Sequence, residues 1–119
     1  MIFKEEALQK SCVSWFNLQY PKLKGLLCSN LNNSKDARTG ARNKALGVVA
    51  GRSDLVLYYD KTAYHIEVKI PKGRQNEKQK EWQKIIESQG FNYYIIYSFD
   101  EFKQLIEELT KLFSIPAFV

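Results

Sequence analysis

The hydrophobic positions of this chain fall into two rhythms, one of three to four residues and one of two, and their order outlines the fold. Between residues 5 and 19, Leu8, Cys12, Trp15 and Phe16 recur at helical spacing and share one face, and Pro21 and Gly25 end the run. Residues 26–28, Leu-Leu-Cys, predict a short strand, and residues 29–34 are polar enough for a loop. Ala37, Ala41, Ala45 and Leu46 predict a second helix over 35–46, closed by Gly47. Residues 54–59 and 63–70 are β-rich, with Asp60-Lys61 between them as a hairpin turn, and Pro71 and Gly73 end the second strand. Asn76 and Gln79 have capping-box spacing, opening a helix with Trp82, Ile85 and Ile86 as its buried stripe and Gly90 as its stop. Residues 91–97 run almost continuously apolar, as in a strand covered on both faces. Ser98 and Glu101 repeat the capping signal ahead of a last helix striped by Phe102, Leu105, Ile106, Leu109, Leu112 and Phe113. Neither repeat nor linker interrupts the pattern, so residues 1–119 are expected to form one α/β domain.

Composition adds a class of partner to this outline only through its charge. The net charge of +5 is moderate, but the excess sits in two segments. Lys35, Arg38, Arg42 and Lys44 stand against Asp36 alone, and Lys69, Lys72, Arg74, Lys78, Lys80 and Lys84 against Glu77 and Glu81. Clustered bases suit a phosphate backbone, from which they release condensed counterions, although solvated helix faces look the same in a sequence. No apolar run is long enough for a membrane span and the N-terminus lacks a signal-peptide pattern, so a soluble, cytoplasmic protein without membrane contact is expected. The two cysteines, Cys12 and Cys28, fit neither a disulfide framework nor a zinc site.

The hairpin is where chemistry enters. With Asp60-Lys61 at the turn, paired residues have numbers adding to 121, which sets Asp54 against Glu67. Two carboxylates so placed repel unless a cation separates them, and a divalent metal resolves the conflict using oxygen ligands, water and substrate phosphate. Strand alternation puts Lys69 on the face of Glu67, within reach of a phosphate or an attacking water. A metal beside a lysine and a basic groove is suited to phosphodiester hydrolysis. Taken singly, an Asp at a strand entrance is often a turn cap and Glu-x-Lys an ordinary ion pair; their common register is what favours a site.

Glu5 opens the apolar face of the first helix and points an acid at the sheet, while Glu6 lies about 100° away around the helix. Gln79 opens the apolar face of the third helix, where a capping role competes with a role in the site. His65 shares the face of Glu67, but a single histidine supports no Cys/His metal cluster and is read as a structural or surface residue rather than a catalytic one.

The order Gly47-Val48-Val49-Ala50-Gly51-Arg52-Ser53-Asp54, then Ile66-Glu67-Val68-Lys69, then Gln79-Lys80-Glu81-Trp82 and Gly90, resembles the VRR-NUC (virus-type replication and repair nuclease) branch of the PD-(D/E)XK superfamily. The resemblance spans nearly the whole chain. It implies a restriction-endonuclease-like α/β core, a central mixed β-sheet flanked by helices in the order α-β-α-β-β-α-β-α, that binds Mg²⁺ or Mn²⁺ and cleaves DNA. By it, Asp54 and Glu67 match the metal-binding acids, with the Val68 backbone carbonyl as a further ligand. Lys69 matches the catalytic lysine, Glu5 the first-helix acid with Glu6 as fallback, and Gln79 the glutamine that opens the helix after the active strands. Ser53 stands where the family commonly has proline, and residues 29–33 replace its Pro-Asn-Gly-like loop.

Together these features lead us to expect a metal-dependent endonuclease, and the resemblance to stand-alone minimal members of this family implies that it acts on branched DNA, flaps or four-way junctions, in replication, repair or recombination. Lys35, Arg38, Arg42, Lys44, Arg52, Lys72, Arg74 and Lys78 are the expected DNA contacts, and a homodimer would supply one site per strand of a junction. The main rival is a nucleic-acid-binding module that keeps the fold without cutting; a sequence-specific restriction enzyme is a third reading.

Overall fold

The Asp60-Lys61 turn sets the frame of the molecule. Both residues have positive φ, 48° and 68°, the conformation that a two-residue hairpin needs if its twist is to match that of the strands. In the computed structural model, which describes residues 2–30 and 37–111, β2 (Leu55–Tyr59) and β3 (Thr62–Val68) pair antiparallel from Tyr59↔Thr62 to Leu55↔Ile66, in the register predicted from that turn. β1 (Leu27–Ser29) pairs antiparallel with the outer side of β2, and β4 (Tyr93–Ile96) parallel with β3. The result is a four-stranded mixed sheet in the order β1-β2-β3-β4. The helices α1 (Ile2–Gln19), α2 (Ala37–Ala45), α3 (Glu77–Ser88) and α4 (Phe99–Lys111) complete the expected order of elements, and a short 3₁₀ turn (Pro21–Leu23) follows α1.

One face of the sheet holds the core. Leu55, Leu57, Tyr59, Tyr64, Ile66, Val68 and Ile96 meet Cys12 and Phe16 of α1, Tyr20 just after it, and Phe102, Ile106 and Leu109 of α4. Trp15 joins the two helices, edge-on to Tyr20, Phe99 and Phe102 at 5.8, 6.1 and 6.0 Å between ring centroids. Such edge-to-face pairs add to the burial of the rings themselves. Burial pushes the Cys12 thiol up to about 12, whereas Cys28 is only half-buried and donates to the Gly25 carbonyl at 3.2 Å. Among the described residues no helix is long and apolar enough to cross a membrane.

The opposite face is covered differently, and four expectations change there and in the flanking helices. α3 begins with the predicted capping box, in which the Gln79 N–H donates to Asn76 Oδ1 at 2.9 Å and the Asn76 N–H to Gln79 Oε1 at 2.8 Å. Its predicted buried stripe is nevertheless absent: Trp82 and Ile86 are half-buried and Ile85 is 58% exposed. Three large apolar residues in a helix of twelve give too narrow a stripe to bury fully. β4 lies at the sheet edge, with Tyr94 and Ile95 half-buried, so it is not covered on both faces. In α2 the helix is present, yet Ala41 and Ala45 are exposed and Leu46 is 71% exposed, because alanines offer little area to bury. At α4 the Glu101 N–H donates to Ser98 Oγ as predicted, but Glu101 Oε1 accepts from the Tyr97 N–H, one residue earlier than a capping box requires. Lys35, Leu112, Phe113 and most of the predicted loop lie outside the described residues, as does the Arg38 side chain.

Candidate active site

Glu5, Asp54, Glu67, Lys69 and Gln79 gather where β2 begins and β3 ends. The approach to Asp54 is fixed by Asn30, just after β1, which bonds to three consecutive residues. Its Nδ2 donates to the Ser53 carbonyl at 2.9 Å, its backbone N–H donates to the Asp54 carbonyl at 3.0 Å, and its Oδ1 accepts from Arg52 Nη2 at 2.6 Å. Ser53 is fully buried and its Oγ donates to the Leu55 carbonyl at 3.1 Å, so a side-chain bond here gives the stiffness that a proline would give by its ring. Gly51, at φ +84°, lets this loop rest on the first turn of α3. A Cβ there would collide with the Lys78 carbonyl and sit 2.8 Å from the Gln79 nitrogen. That close approach brings Lys78 and Gln79 alongside Asp54.

Asp54 stands just before β2, and the ladder stops at Leu55↔Ile66. The carboxylate of Asp54 does not stand upright beside that of Glu67 as simple register suggests; its Oδ2 accepts from the Val68 N–H at 2.6 Å, one residue further along β3. Burial is the main cause that pushes the Asp54 carboxyl up to about 6. The Val68 N–H works against the shift, the negative charges of Glu67 and Glu5 add to it, and Lys69 opposes it.

Glu67 is completely buried. Its Oε1 accepts two hydrogen bonds, from Tyr93 Oη at 2.6 Å and Gln75 Nε2 at 2.9 Å. Its Oε2 has no hydrogen-bond partner among the described residues, and Lys69 Nζ stands 3.8 Å away, a charge contact too long for a hydrogen bond. Burial first, and then the Glu67 contact, hold the Tyr93 phenol well above its ordinary range, so Tyr93 remains a donor. Glu5 arrives from α1, where its Oε2 accepts from the Ile70 N–H at 3.4 Å. Glu6 is exposed at the rim of the same cleft. Of the two acids, Glu5 is the one that, among the described residues, bonds to the backbone just after β3.

A cleft of about 960 Å³ opens beside these groups: Glu5, Gln9, Arg52, Asp54, Val68 and Gln79 are among its walls, whereas the buried Glu67 and Lys69 lie behind them and do not line it. Lys78 lines it as well, whereas Arg42, Lys44, Lys72 and Arg74 are exposed and do not. The Gln79 side chain thus serves its helix cap and the cleft wall together. His65 is buried between Trp82 and Phe91, at 5.1 and 5.6 Å between ring centroids, and burial, with the Arg52 charge second, lowers its pKa. It packs within the α3 side as a structural residue.

Among the described residues no three His, Cys, Asp or Glu side chains form a ready-made metal cage. The two acids Asp54 and Glu67 nevertheless fit a hard cation that keeps much of its water, since Glu67 offers a buried oxygen with nothing bonded to it. Asn30, Gln75 and Tyr93 were not predicted from the sequence. Tyr93 depends on the parallel β3–β4 pairing and Gln75 on how the segment before α3 folds back over β3, neither of which a local pattern announces, and Asn30 sits in an ordinary polar run.

Comparison with known proteins agrees with this architecture. A family model for the VRR-NUC domain matches residues 3–100. A solved structure described as a VRR_NUC domain protein superimposes with a TM-score of 0.74 at 24% sequence identity, covering 91% of this chain and 88% of that one. No curated protein matches.

Proposed function

This chain belongs to the VRR-NUC family, whose domain has a nuclease-type fold, and from that premise we propose that it is a metal-dependent endodeoxyribonuclease. The observation that carries the reading is Glu67: a fully buried carboxylate with one oxygen accepting from two neutral donors and the other without a hydrogen-bond partner among the described residues, next to a buried lysine and close to Asp54. A purely structural ion pair would gain from a short Lys69 contact, and an unbonded buried oxygen carries a desolvation cost of about 1–3 kcal/mol or more.

In this proposal Asp54, Glu67 and the Val68 carbonyl hold Mg²⁺ or Mn²⁺, which supplies charge neutralisation at the scissile phosphate and makes water more acidic. The other roles belong to the chain. Lys69 stabilises the negative charge that develops on the phosphate and orients the attacking water. Glu5 accepts a hydrogen bond from water on the α1 side, and Gln79 orients the substrate from the α3 side. Arg52 and Lys78 hold phosphates at the cleft, and Lys35, Arg38, Arg42, Lys44, Lys72 and Arg74 extend the basic track along the backbone. The substrate is branched DNA, flaps or four-way junctions, met inside the cell by a homodimer that presents one cleft to each of two strands.

The test is direct. Wild type, Glu67→Ala and Lys69→Ala are incubated with labelled single-stranded, duplex, flap and four-way-junction DNA in Mg²⁺, Mn²⁺ or EDTA. Metal-dependent cutting by wild type alone, strongest on branched DNA, is the expected result. Binding without cutting on every substrate would instead make the protein a nucleic-acid-binding module.

A further inference from the structure

Glu67 is gripped from behind by two groups with no charge of their own. Tyr93 comes from β4, where the pairings His65↔Tyr93 and Glu67↔Ile95 put it on the same face of the sheet as Glu67, and its ring lies 6.0 Å from that of Trp82. Gln75 comes from the turn before α3, and its Nε2 is 2.9 Å both from Glu67 Oε1 and from Gln83 Oε1. An amide nitrogen has two hydrogens, and these two acceptors take both, so the side chain is held against turning over. Both donors converge on Oε1. A carboxylate free to rotate would share them between its oxygens or turn one oxygen fully toward Lys69.

We propose that Tyr93 and Gln75 are positioning residues that lock the rotation of the Glu67 carboxylate and so reserve Oε2 for the cation. This rests on the nuclease reading above. The same amide also ties Glu67 to α3 through Gln83, so the metal-binding acid and the helix that carries Lys78 and Gln79 share one point of attachment. Without that lock the carboxylate gains rotational freedom, and a cation must then order it on binding.

The experiment compares wild type, Tyr93→Phe and Gln75→Met by Mn²⁺ titration in a calorimeter, with melting curves in EDTA to establish folding. Tyr93→Phe keeps the buried ring, and Gln75→Met keeps the length of a half-exposed side chain, so the second variant serves if the first fails to fold. Each is expected to weaken Mn²⁺ binding by about 10- to 100-fold. DNA affinity in EDTA should stay unchanged, and much of the cutting should return at saturating metal. Wild-type binding matched to within about twofold by folded variants would overturn the positioning role and leave the nuclease reading standing. A wild type that binds no Mn²⁺ would overturn both.

Discussion

The two faces of the central sheet are built on different principles. Against α1 and α4 the side chains are apolar, fully buried and interlocked, with Phe16, Phe102, Leu55 and Ile66 out of contact with water. Against α3 the sheet presents His65 and Glu67, answered by Trp82, Tyr93, Gln75 and a helix with no fully buried residue. One face holds the molecule together, and the other spends its contacts on orienting polar groups. The lesson is that apolar area supplies stability on one face, whereas on the α3 face the cost of a change depends on whether it leaves the buried Glu67 carboxylate without a partner.

The largest effect should come from the apolar face. Phe102→Ala is expected to destabilise by about 3–5 kcal/mol, read as a fall in denaturant midpoint; a smaller loss would show that the α1–α4 packing is not the main support. Next comes Lys69→Ala, which should slow DNA cutting about 10²- to 10³-fold and, by leaving the buried Glu67 carboxylate without its counter-charge, lower the denaturant midpoint by less than Phe102→Ala does. A loss of stability comparable to that of Phe102→Ala would erase the division between the faces.

The third effect is one of pH. Asp54 has a folded pKa of about 6, above its unfolded value of about 3.9, so the folded state binds the extra proton. Its stabilising contribution is fully present below about pH 4 and is lost as pH rises through 6. In EDTA, wild type should therefore gain up to about 2 kcal/mol relative to Asp54→Asn between pH 7 and pH 4, after allowing for the exposed part of the carboxyl. Equal pH dependence in the two proteins would remove Asp54 as the cause. The smallest effect is expected at Ile85→Ala, within about 0.5 kcal/mol of wild type, since that side chain is 58% exposed.

The same contrast explains what could be read in the chain. The hairpin register was legible because a two-residue turn fixes every pairing that follows it, and the Asn76–Gln79 cap because both partners lie three residues apart. Glu5 was legible from helical phase alone. The exposure of Ile85 and of α2 was not, since periodicity states which residues share a face but not what stands opposite. Asp54 shows the limit within the site: its number pairs it with Glu67, yet a backbone N–H beyond the end of the ladder claims its side chain. Gln75 and Tyr93 reach Glu67 through tertiary contacts eight and 26 residues apart.

Cys12 gives the apolar face a chemical clock. A thiolate is the species that reacts with alkylating reagents, and a fully buried thiol pushed up to about 12 supplies almost none at neutral pH. Cys28, the other cysteine of the chain, is partly open. A maleimide should therefore mark Cys28 in the folded protein, and the slower arrival of a second label should report how often α1 lifts away from the sheet.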